Sequence, residues 1–198
     1  MKLFNTLAAL CLTGFSTCSP ALAEDNSLYA EAAPSDASFV RFIGYKDAKE
    51  AQFSGHTFAL PSDADGKYIP VSSALLKNVA SGSYVSVLRA ADGTQDIITE
   101  RARTRQSKVA VLLINATEKQ LELRLADGST PVIENVAPAS AGQREVNPVA
   151  IALGVFEVGA RIPVATFDVA LRRGQNISFV ADHTGIRLIE NQFTSATK

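Results

Sequence analysis

Short runs of alternating apolar and polar residues, separated by turn signals, make up most of this chain. In residues 121–125 (LELRL), three leucines alternate with a glutamate and an arginine, which is typical of a strand with one buried face. Residues 38–45 (SFVRFIGY) and 109–114 (VAVLLI) are apolar on almost every position, as in a central strand covered on both sides. No window shows a helical period with caps, so the pattern predicts an all-β fold of short strands.

Glycine, Asp-Gly and proline signals place the other predicted strands. Residues 75–79 are a further strand candidate, whereas the Pro-, Ala- and Ser-rich residues 137–148 are predicted to form a loop. The remaining strands are predicted at 67–71, 84–89, 95–100, 131–133, 149–158, 164–171, 177–181 and 186–189, with a weaker one at 51–53 or 57–60.

The chain before residue 101 resembles the chain after residue 107. Gly-x-x-Val-Ser-Val-Leu with a later glycine in residues 82–93 matches Gly-x-x-Ile-Ser-Phe-Val with a later glycine in residues 174–185. Residues 77–80 (KNVA) match residues 134–137 (ENVA). The opening apolar strands also correspond when residue 38 is aligned with residue 108. These matches indicate an internal duplication.

The duplication divides the chain into two tandem units. We predict two small β-sandwich domains of the Greek-key or Ig-like type, at residues 38–100 and 108–198, because short alternating strands with frequent turns favour sandwiches. A basic linker, residues 101–107, joins them. Its arginines lead directly into the first strand of the second unit.

The first 37 residues are predicted to lie outside both domains. Met1-Lys2, an apolar stretch and Ala21-Leu22-Ala23 have the order of a secretory signal peptide, cleaved after residue 23. A lipoprotein signal with Cys18 as the modified residue is the alternative. Residues 24–37 are polar and Pro-containing, which indicates an N-terminal arm. The signal predicts export, and we expect a periplasmic protein.

Composition excludes several kinds of chemistry. The chain has 19 Lys and Arg residues against 20 Asp and Glu residues, so its net charge of −1 gives no general attraction to nucleic acid. Both cysteines, Cys11 and Cys18, fall in the predicted signal peptide, so the processed chain would carry no thiolate nucleophile, disulfide or thiolate metal site. We predict no metal site and no cofactor.

The two histidines are the only obvious candidates for general-base catalysis. His56 and His183 both occur in short polar turn sequences, and neither is near a Gly-x-Ser-x-Gly or Asp-x-x-His motif. A Ser-His-Asp triad is recognised by geometry rather than by spacing, so an esterase or acetyltransferase remains an open alternative. We predict that the protein has no catalytic residues.

Candidate binding residues come from the aromatic and basic side chains. Arg41 lies inside an apolar strand and needs a carboxylate or carbonyl partner there. Tyrosines not required by the core could stack on a sugar, and a local basic patch could attract a polyanionic glycan. A carbohydrate-binding module acting alone is therefore a second open function. The candidate residues are Tyr29, Arg41, Tyr45, Tyr68, Arg101, Arg103, Arg105, Lys108, Arg172 and Arg173.

Five segments carry a recognisable combination of motifs: residues 27–41, with Leu-Tyr, a proline and Phe-Val-Arg; 108–129; 134–138 (ENVAP); 144–148 (REVNP); and 171–174 (LRRG). Taken together, they resemble the AlgF family of periplasmic alginate O-acetylation proteins. The likeness covers nearly the whole chain after the signal peptide. It departs from the family where isoleucine precedes Asn115 in place of an aromatic residue, and across residues 46–71.

The resemblance implies an accessory role in acetylation of a polysaccharide. Proteins of this family are thought to work with SGNH-type alginate acetyltransferases and a membrane-bound O-acyltransferase that esterify mannuronate residues. The chain would then be a non-catalytic adaptor that binds these enzymes, with polymannuronate as a further candidate ligand.

Overall fold

The computed structural model describes residues 33–62, 64–90 and 92–192. Most of the predicted N-terminal arm, the predicted signal peptide, both cysteines and Tyr29 lie outside these residues. No helix in the described ranges is long and apolar enough to cross a membrane. The strands are β1 (Ala37–Ile43), β2 (Glu50–Phe53), β3 (His56–Ala59), β4 (Tyr68–Ser72), β5 (Tyr84–Arg89), β6 (Gln95–Glu100), β7 (Val109–Asn115), β8 (Leu121–Leu125), β9 (Pro131–Val136), β10 (Ser140–Val146), β11 (Ala150–Glu157), β12 (Ala165–Ala170), β13 (Asn176–Asp182) and β14 (Gly185–Glu190), with a 3-10 helix at Ser73–Leu75.

The first unit consists of one four-stranded sheet and a hairpin. The sheet has the order β4-β1-β5-β6, with β1 parallel to β5 and the other neighbours antiparallel. The β2–β3 hairpin contributes Phe53 and Phe58 to a core with Phe42, Ile69 and Val87 from the sheet. These side chains alternate with residues on the other face of the sheet, and in β1 those residues, Arg41 and Ile43, are buried as well.

The second unit is a sandwich of two four-stranded sheets. The order β10-β7-β13-β14 repeats the first unit's sheet, again with a parallel central pair, and the order of the opposing sheet is β12-β11-β8-β9. Val111, Leu113, Leu123, Val155 and Phe179 form the centre of its core. The predictions of an all-β fold and of two related tandem units are thus confirmed, and the central parallel pair is an added feature of both sheets.

Register in the two sheets gives the correct alignment of the repeat. Arg41 lies opposite Ser86 in the β1–β5 pair, and Leu112 lies opposite Ser178 in the β7–β13 pair. Since the two serines correspond, Arg41 corresponds to Leu112, one residue later than the alignment that starts at residue 108. That predicted alignment is wrong by one, because both opening strands are apolar on both faces and the pattern does not distinguish the faces.

The sheets of the two units pack against each other. Ile43 and Leu88 of the first unit meet Ile114 and Val180 of the second in a buried apolar cluster. Gly66 has φ +77°, and a Cβ there would lie 2.6 Å from Cδ1 of Ile189 across this contact. The two units therefore form one body with a closely packed interface.

Two local predictions differ from the structure. Residues 137–148 contain strand β10, which pairs with β7 along its whole length. Its pattern is small and polar because it is an edge strand, and a Cβ at Gly142 would meet Ile133 at 2.3 Å. Residues 75–79 form no strand: Leu75 ends a 3-10 helix, and Asn78 has φ +60°.

Candidate functional site

A buried polar cluster, the Arg41 cluster, connects the two units. We define it as Arg41, Tyr68, Ser86, Glu100, Ser178 and Asn191. The Arg41 guanidinium donates to Glu100 Oε1 from Nη2 at 2.8 Å and from Nε at 3.1 Å. Its other bonds go to Ser86 Oγ at 2.6 Å in the first unit, and to Asn191 Oδ1 at 2.9 Å and Ser178 Oγ at 3.1 Å in the second.

The charged groups of the Arg41 cluster are buried, so the cluster stabilises the contact between the two units. The Arg41 side chain is 0% exposed and that of Glu100 is 4% exposed, so neither charge is solvated and each depends on the other. The Tyr68 hydroxyl donates to Glu100 Oε2 at 2.5 Å, and burial raises the pKa of Tyr68. The expected carboxylate partner of Arg41 is thus Glu100. Arg41 and Tyr68 are both buried in the interface.

The other candidate tyrosines do not form an exposed platform. Tyr45 is 5% exposed, accepts a hydrogen bond from Gln95 Nε2, and lies under the Arg89 guanidinium at 5.5 Å from its ring centroid. Tyr29 lies outside the described residues. The prediction that Tyr45 and Tyr68 could stack on a sugar is therefore wrong, because both rings are buried in the protein.

The middle of the linker, Arg103 to Arg105, is bonded to the second unit. Arg103 donates to the carbonyl oxygen of Gly174 and to the side chains of Gln106 and Asn176. The Glu145 carboxylate accepts from both the backbone N–H of Thr104, at 2.6 Å, and its hydroxyl, at 3.0 Å. These bonds hold the pKa of Glu145 below its usual range. A free hinge does not fit this geometry.

The predicted basic residues converge on one end of the molecule, which we call the linker end. Two of them pair with carboxylates: Arg105 lies 3.8 Å from Glu145, and Arg172 lies 3.4 Å from Glu190. Lys108 bonds to the side chain of Asn147. In the described part of the chain, no hydrogen bond or ion pair engages the exposed side chains of Arg101 and Arg173. The six cations at this end are Arg101, Arg103, Arg105, Lys108, Arg172 and Arg173.

A crevice of about 150 Å³, the linker crevice, opens between the units at this end. Tyr68, Glu100 and Asn191 of the Arg41 cluster are among its lining residues. Four amide side chains line it, and sequence reasoning did not identify them as site residues, because isolated Asn and Gln residues carry no pattern. The lining residues are Tyr68, Tyr84, Glu100, Arg101, Ala102, Arg103, Gln106, Ala110, Leu112, Gln143, Asn176 and Asn191.

The opposite end of the interface, which we call the hairpin end, carries two wider clefts. One of about 600 Å³ and one of about 730 Å³ share His183 in the β13–β14 turn. Arg187 bridges the units there, pairing with Asp182 of its own unit and, at 3.2 Å, with Asp65 of the other. Both carboxylates are thereby committed to the interface.

The histidines and Asn115 make no catalytic or ligand contact in the described residues. His56 is exposed on β3 and His183 is exposed in a turn, and in the described part of the chain neither ring hydrogen-bonds to a hydroxyl group. Asn115 is fully buried and donates to the carbonyl oxygens of Lys119 and Val136, so its side chain stabilises the turn that follows β7. Across the described ranges, no three His, Cys, Asp or Glu residues are grouped as a metal site would require.

Comparison with known protein families shows which family the chain belongs to. The family described as "Alginate O-acetyl transferase AlgF" matches residues 8–178. The chain belongs to the AlgF family. The resemblance seen in the sequence is confirmed, and with it a relationship to proteins of alginate biosynthesis.

Relatives in the AlgF family align over most of their own length. The alginate biosynthesis protein AlgF of Pseudomonas syringae pv. tomato is 29% identical over 186 residues, covering 88% of this chain and 83% of the relative. AlgF of Pseudomonas aeruginosa is 27% identical over 180 residues, covering 85% and 83%.

Solved structures of separate AlgF domains from P. aeruginosa also match. The C-terminal domain is 31% identical and covers 43% of this chain and 97% of that domain, with a TM-score of 0.37. The N-terminal domain is 16% identical and covers 45% and 99%, with a TM-score of 0.34.

Proposed function

We propose that this protein is a non-catalytic periplasmic adaptor for O-acetylation of alginate. The observation that carries the proposal is the match to the AlgF family over residues 8–178, whose description names O-acetyl transfer. The adaptor binds an SGNH-type acetyltransferase and brings it to a membrane-bound O-acyltransferase complex. The predicted signal peptide supports a location in the periplasm.

Exposed apolar side chains at the hairpin end supply a surface for a protein partner. The loop between β11 and β12 exposes Val158, Ile162 and Val164, and Ile162 is 80% exposed. Val164 and Glu157 also line the 600 Å³ cleft beside this loop. Apolar side chains grouped around a cleft are typical of protein interaction sites, because their burial on binding is favourable.

The adaptor role is tested by co-purification. The full chain, tagged, should retain the SGNH-type acetyltransferase from periplasmic extract, and Ile162→Asp with Val164→Asp should lower the retained amount at least tenfold. The matched control is Ile97→Asp, since Ile97 is 57% exposed on β6, away from this loop. Failure of the wild-type chain to retain any acetyltransferase would refute the adaptor proposal.

Catalysis by the chain itself is the second candidate, because the family description reads as an enzyme name. It predicts hydrolysis or transfer of an acetyl ester by the purified protein, and loss of that turnover in His183→Ala or His56→Ala. No turnover by the purified protein counts against this candidate, and turnover that survives both substitutions would exclude the two histidines as its catalytic groups.

A further inference from the structure

We propose that the cleft of about 600 Å³ at the hairpin end, which we call the hairpin cleft, binds an apolar side chain of the partner protein next to a lysine or arginine of that protein. The inference rests on the proposed adaptor function for the identity of the partner, an SGNH-type acetyltransferase. The chemistry of the bound segment follows from the apolar lining of the cleft, from its charge and from the loop beside it.

Part of the lining of the hairpin cleft belongs to the buried cores. Leu121 is a buried member of the second unit's core, and Ile186 packs against that core. Ala116 packs against the apolar cluster between the two units. An apolar side chain that enters the cleft therefore continues both cores and is removed from water, which is favourable. A cleft of this volume accommodates a large aliphatic or aromatic side chain.

Both units contribute to the hairpin cleft. Ala90 and Asp92 come from the turn between β5 and β6 of the first unit, and the other lining residues come from the second unit. The Ala116 N–H donates to the carbonyl oxygen of Ala181 at 2.8 Å, which joins the ends of β7 and β13 at the cleft. The packing of the two units thus forms the cleft before a partner binds, and a preformed site lowers the cost of binding.

Acidic side chains outnumber basic ones in the hairpin cleft. Among the described residues, four carboxylates and one lysine line it. Lys119 pairs with Glu157, and Asp182 pairs with Arg187. These two pairs leave two carboxylates without a cation, so the field in the cleft is negative. Such a field attracts a lysine or arginine and repels a carboxylated polymer.

The two carboxylates without a cation are those of Asp92 and Glu118, and both side chains are exposed. Asp92 accepts from the hydroxyl of Thr94 at 2.7 Å and from its N–H at 2.9 Å, and these bonds hold the pKa of Asp92 below its usual value. Glu118 has no hydrogen bond or ion pair in the described part of the chain. An apolar cleft beside two uncompensated carboxylates fits an apolar side chain with a neighbouring cation, because burial gives affinity and the charge gives selectivity.

The β11–β12 loop continues the apolar surface outside the hairpin cleft. Val164 lines the cleft, and Val158 and Ile162 are exposed in the same loop. A stable protein complex buries about 1,200–2,000 Å², so the cleft holds a central side chain while the loop supplies surrounding contact. Arg161, the cation of this loop, is exposed and is not among the lining residues of the cleft.

The first test is a binding titration of the full processed chain with the purified SGNH-type acetyltransferase at low and high salt. Glu118→Lys should weaken binding about tenfold, because it places like charges together, and Asp92→Asn should weaken it less. Wild-type binding should weaken as the salt concentration rises, and binding of Glu118→Lys should respond less. The matched control is Asp168→Lys, because Asp168 is an exposed carboxylate at the linker end with no ion pair in the described residues.

The second test identifies the bound segment of the partner. The photoreactive residue benzoylphenylalanine, in place of Val164, should cross-link to the acetyltransferase on illumination, since Val164 lines the cleft and is 56% exposed. Mass spectrometry of the cross-linked peptide should show an apolar residue beside a lysine or arginine. Capture of an acidic or wholly polar segment would overturn the proposal.

Two outcomes of the titration would also overturn the proposal. They are equal weakening by Glu118→Lys and Asp168→Lys, and wild-type binding that does not change with salt. If the wild-type chain binds the acetyltransferase and Glu118→Lys binds it equally well, the inference fails and the adaptor role stands. If the wild-type chain binds no acetyltransferase, the adaptor role itself fails.

Discussion

The two units contain the same four-stranded arrangement, but equivalent positions at their interface differ in chemistry: Arg41, Tyr68 and Glu100 of the first unit correspond to Leu112, Gln143 and Asn191 of the second. Two neighbouring positions keep their character: Ser86 matches Ser178 and Ile43 matches Ile114. An arginine in both units would bring two guanidinium groups together in a buried space, which is unfavourable. One arginine instead bonds to both serines.

This asymmetry makes the interface specific. An apolar contact between two similar sheets would tolerate sliding or the pairing of two copies of one unit, since apolar packing has little directionality. The Arg41 guanidinium fixes the arrangement, because its bonds to Glu100 lie in the first unit and its bond to Asn191 lies in the second. Buried polar groups serve this purpose in some other proteins.

The largest effect should come from removing the charge that distinguishes the units. Arg41→Met leaves Glu100 buried without its cation, and we expect a loss of about 3–5 kcal/mol in the free energy of unfolding. Leu112→Met, at the equivalent position, should cost less than about 1.5 kcal/mol. Urea unfolding at pH 7 measures both. Similar costs for the two variants would show that the asymmetry contributes nothing to stability.

An intermediate effect should come from Gly66→Ala. The new Cβ would lie 2.6 Å from Ile189 Cδ1 across the interface and would also occupy a backbone with φ +77°. We expect a loss of about 1–3 kcal/mol. Gly55→Ala is the control, because Gly55 has φ +86° and no atom lies within 4 Å of its Cβ position. The difference between the two variants isolates packing between the units; equal losses would mean that the interface accommodates the methyl group.

The smallest effect concerns alkaline pH. Burial raises the pKa of Tyr68 above its usual value of 10.0, so the folded state favours the neutral phenol. The stability this provides is complete below about pH 10 and declines above it, at up to about 1.4 kcal/mol per pH unit. Tyr68→Phe removes the hydrogen bond to Glu100, so we expect its free energy of unfolding at pH 7 to be about 1 kcal/mol lower than that of the wild-type protein. Because the variant has no phenol to ionise at this position, its stability should decline less steeply between pH 10 and 12. Thermal unfolding of both proteins between pH 7 and pH 12 measures this difference. The same dependence of stability on pH in both proteins would contradict the prediction.

The sequence predicted the fold better than it predicted the site. Alternation and turn signals identify most strands, because each is half-buried or central. Strand β10 was missed because Gly142 and its small neighbours pack under other side chains and show no apolar alternation. The need of Arg41 for a partner was evident, but Glu100 is 59 residues away in the chain, and no local pattern joins them. The amides of the linker crevice were missed for the same reason, since they come from separate segments of the chain: the linker, β10, β13 and the residue after β14.

The parallel pairing of β1 with β5 and of β7 with β13 has a consequence for how the chain folds. The first strand of each sheet lies beside a strand made much later, and the Arg41–Asn191 bond spans 150 residues. Closing such long loops costs entropy before any contact is gained, so folding should be slow for a protein of this size. During synthesis, the buried charge of Arg41 acquires its last partner only when Asn191 has been made. A chain that stops before that residue would carry an incompletely bonded arginine between its two units, which makes it a ready target for proteolysis.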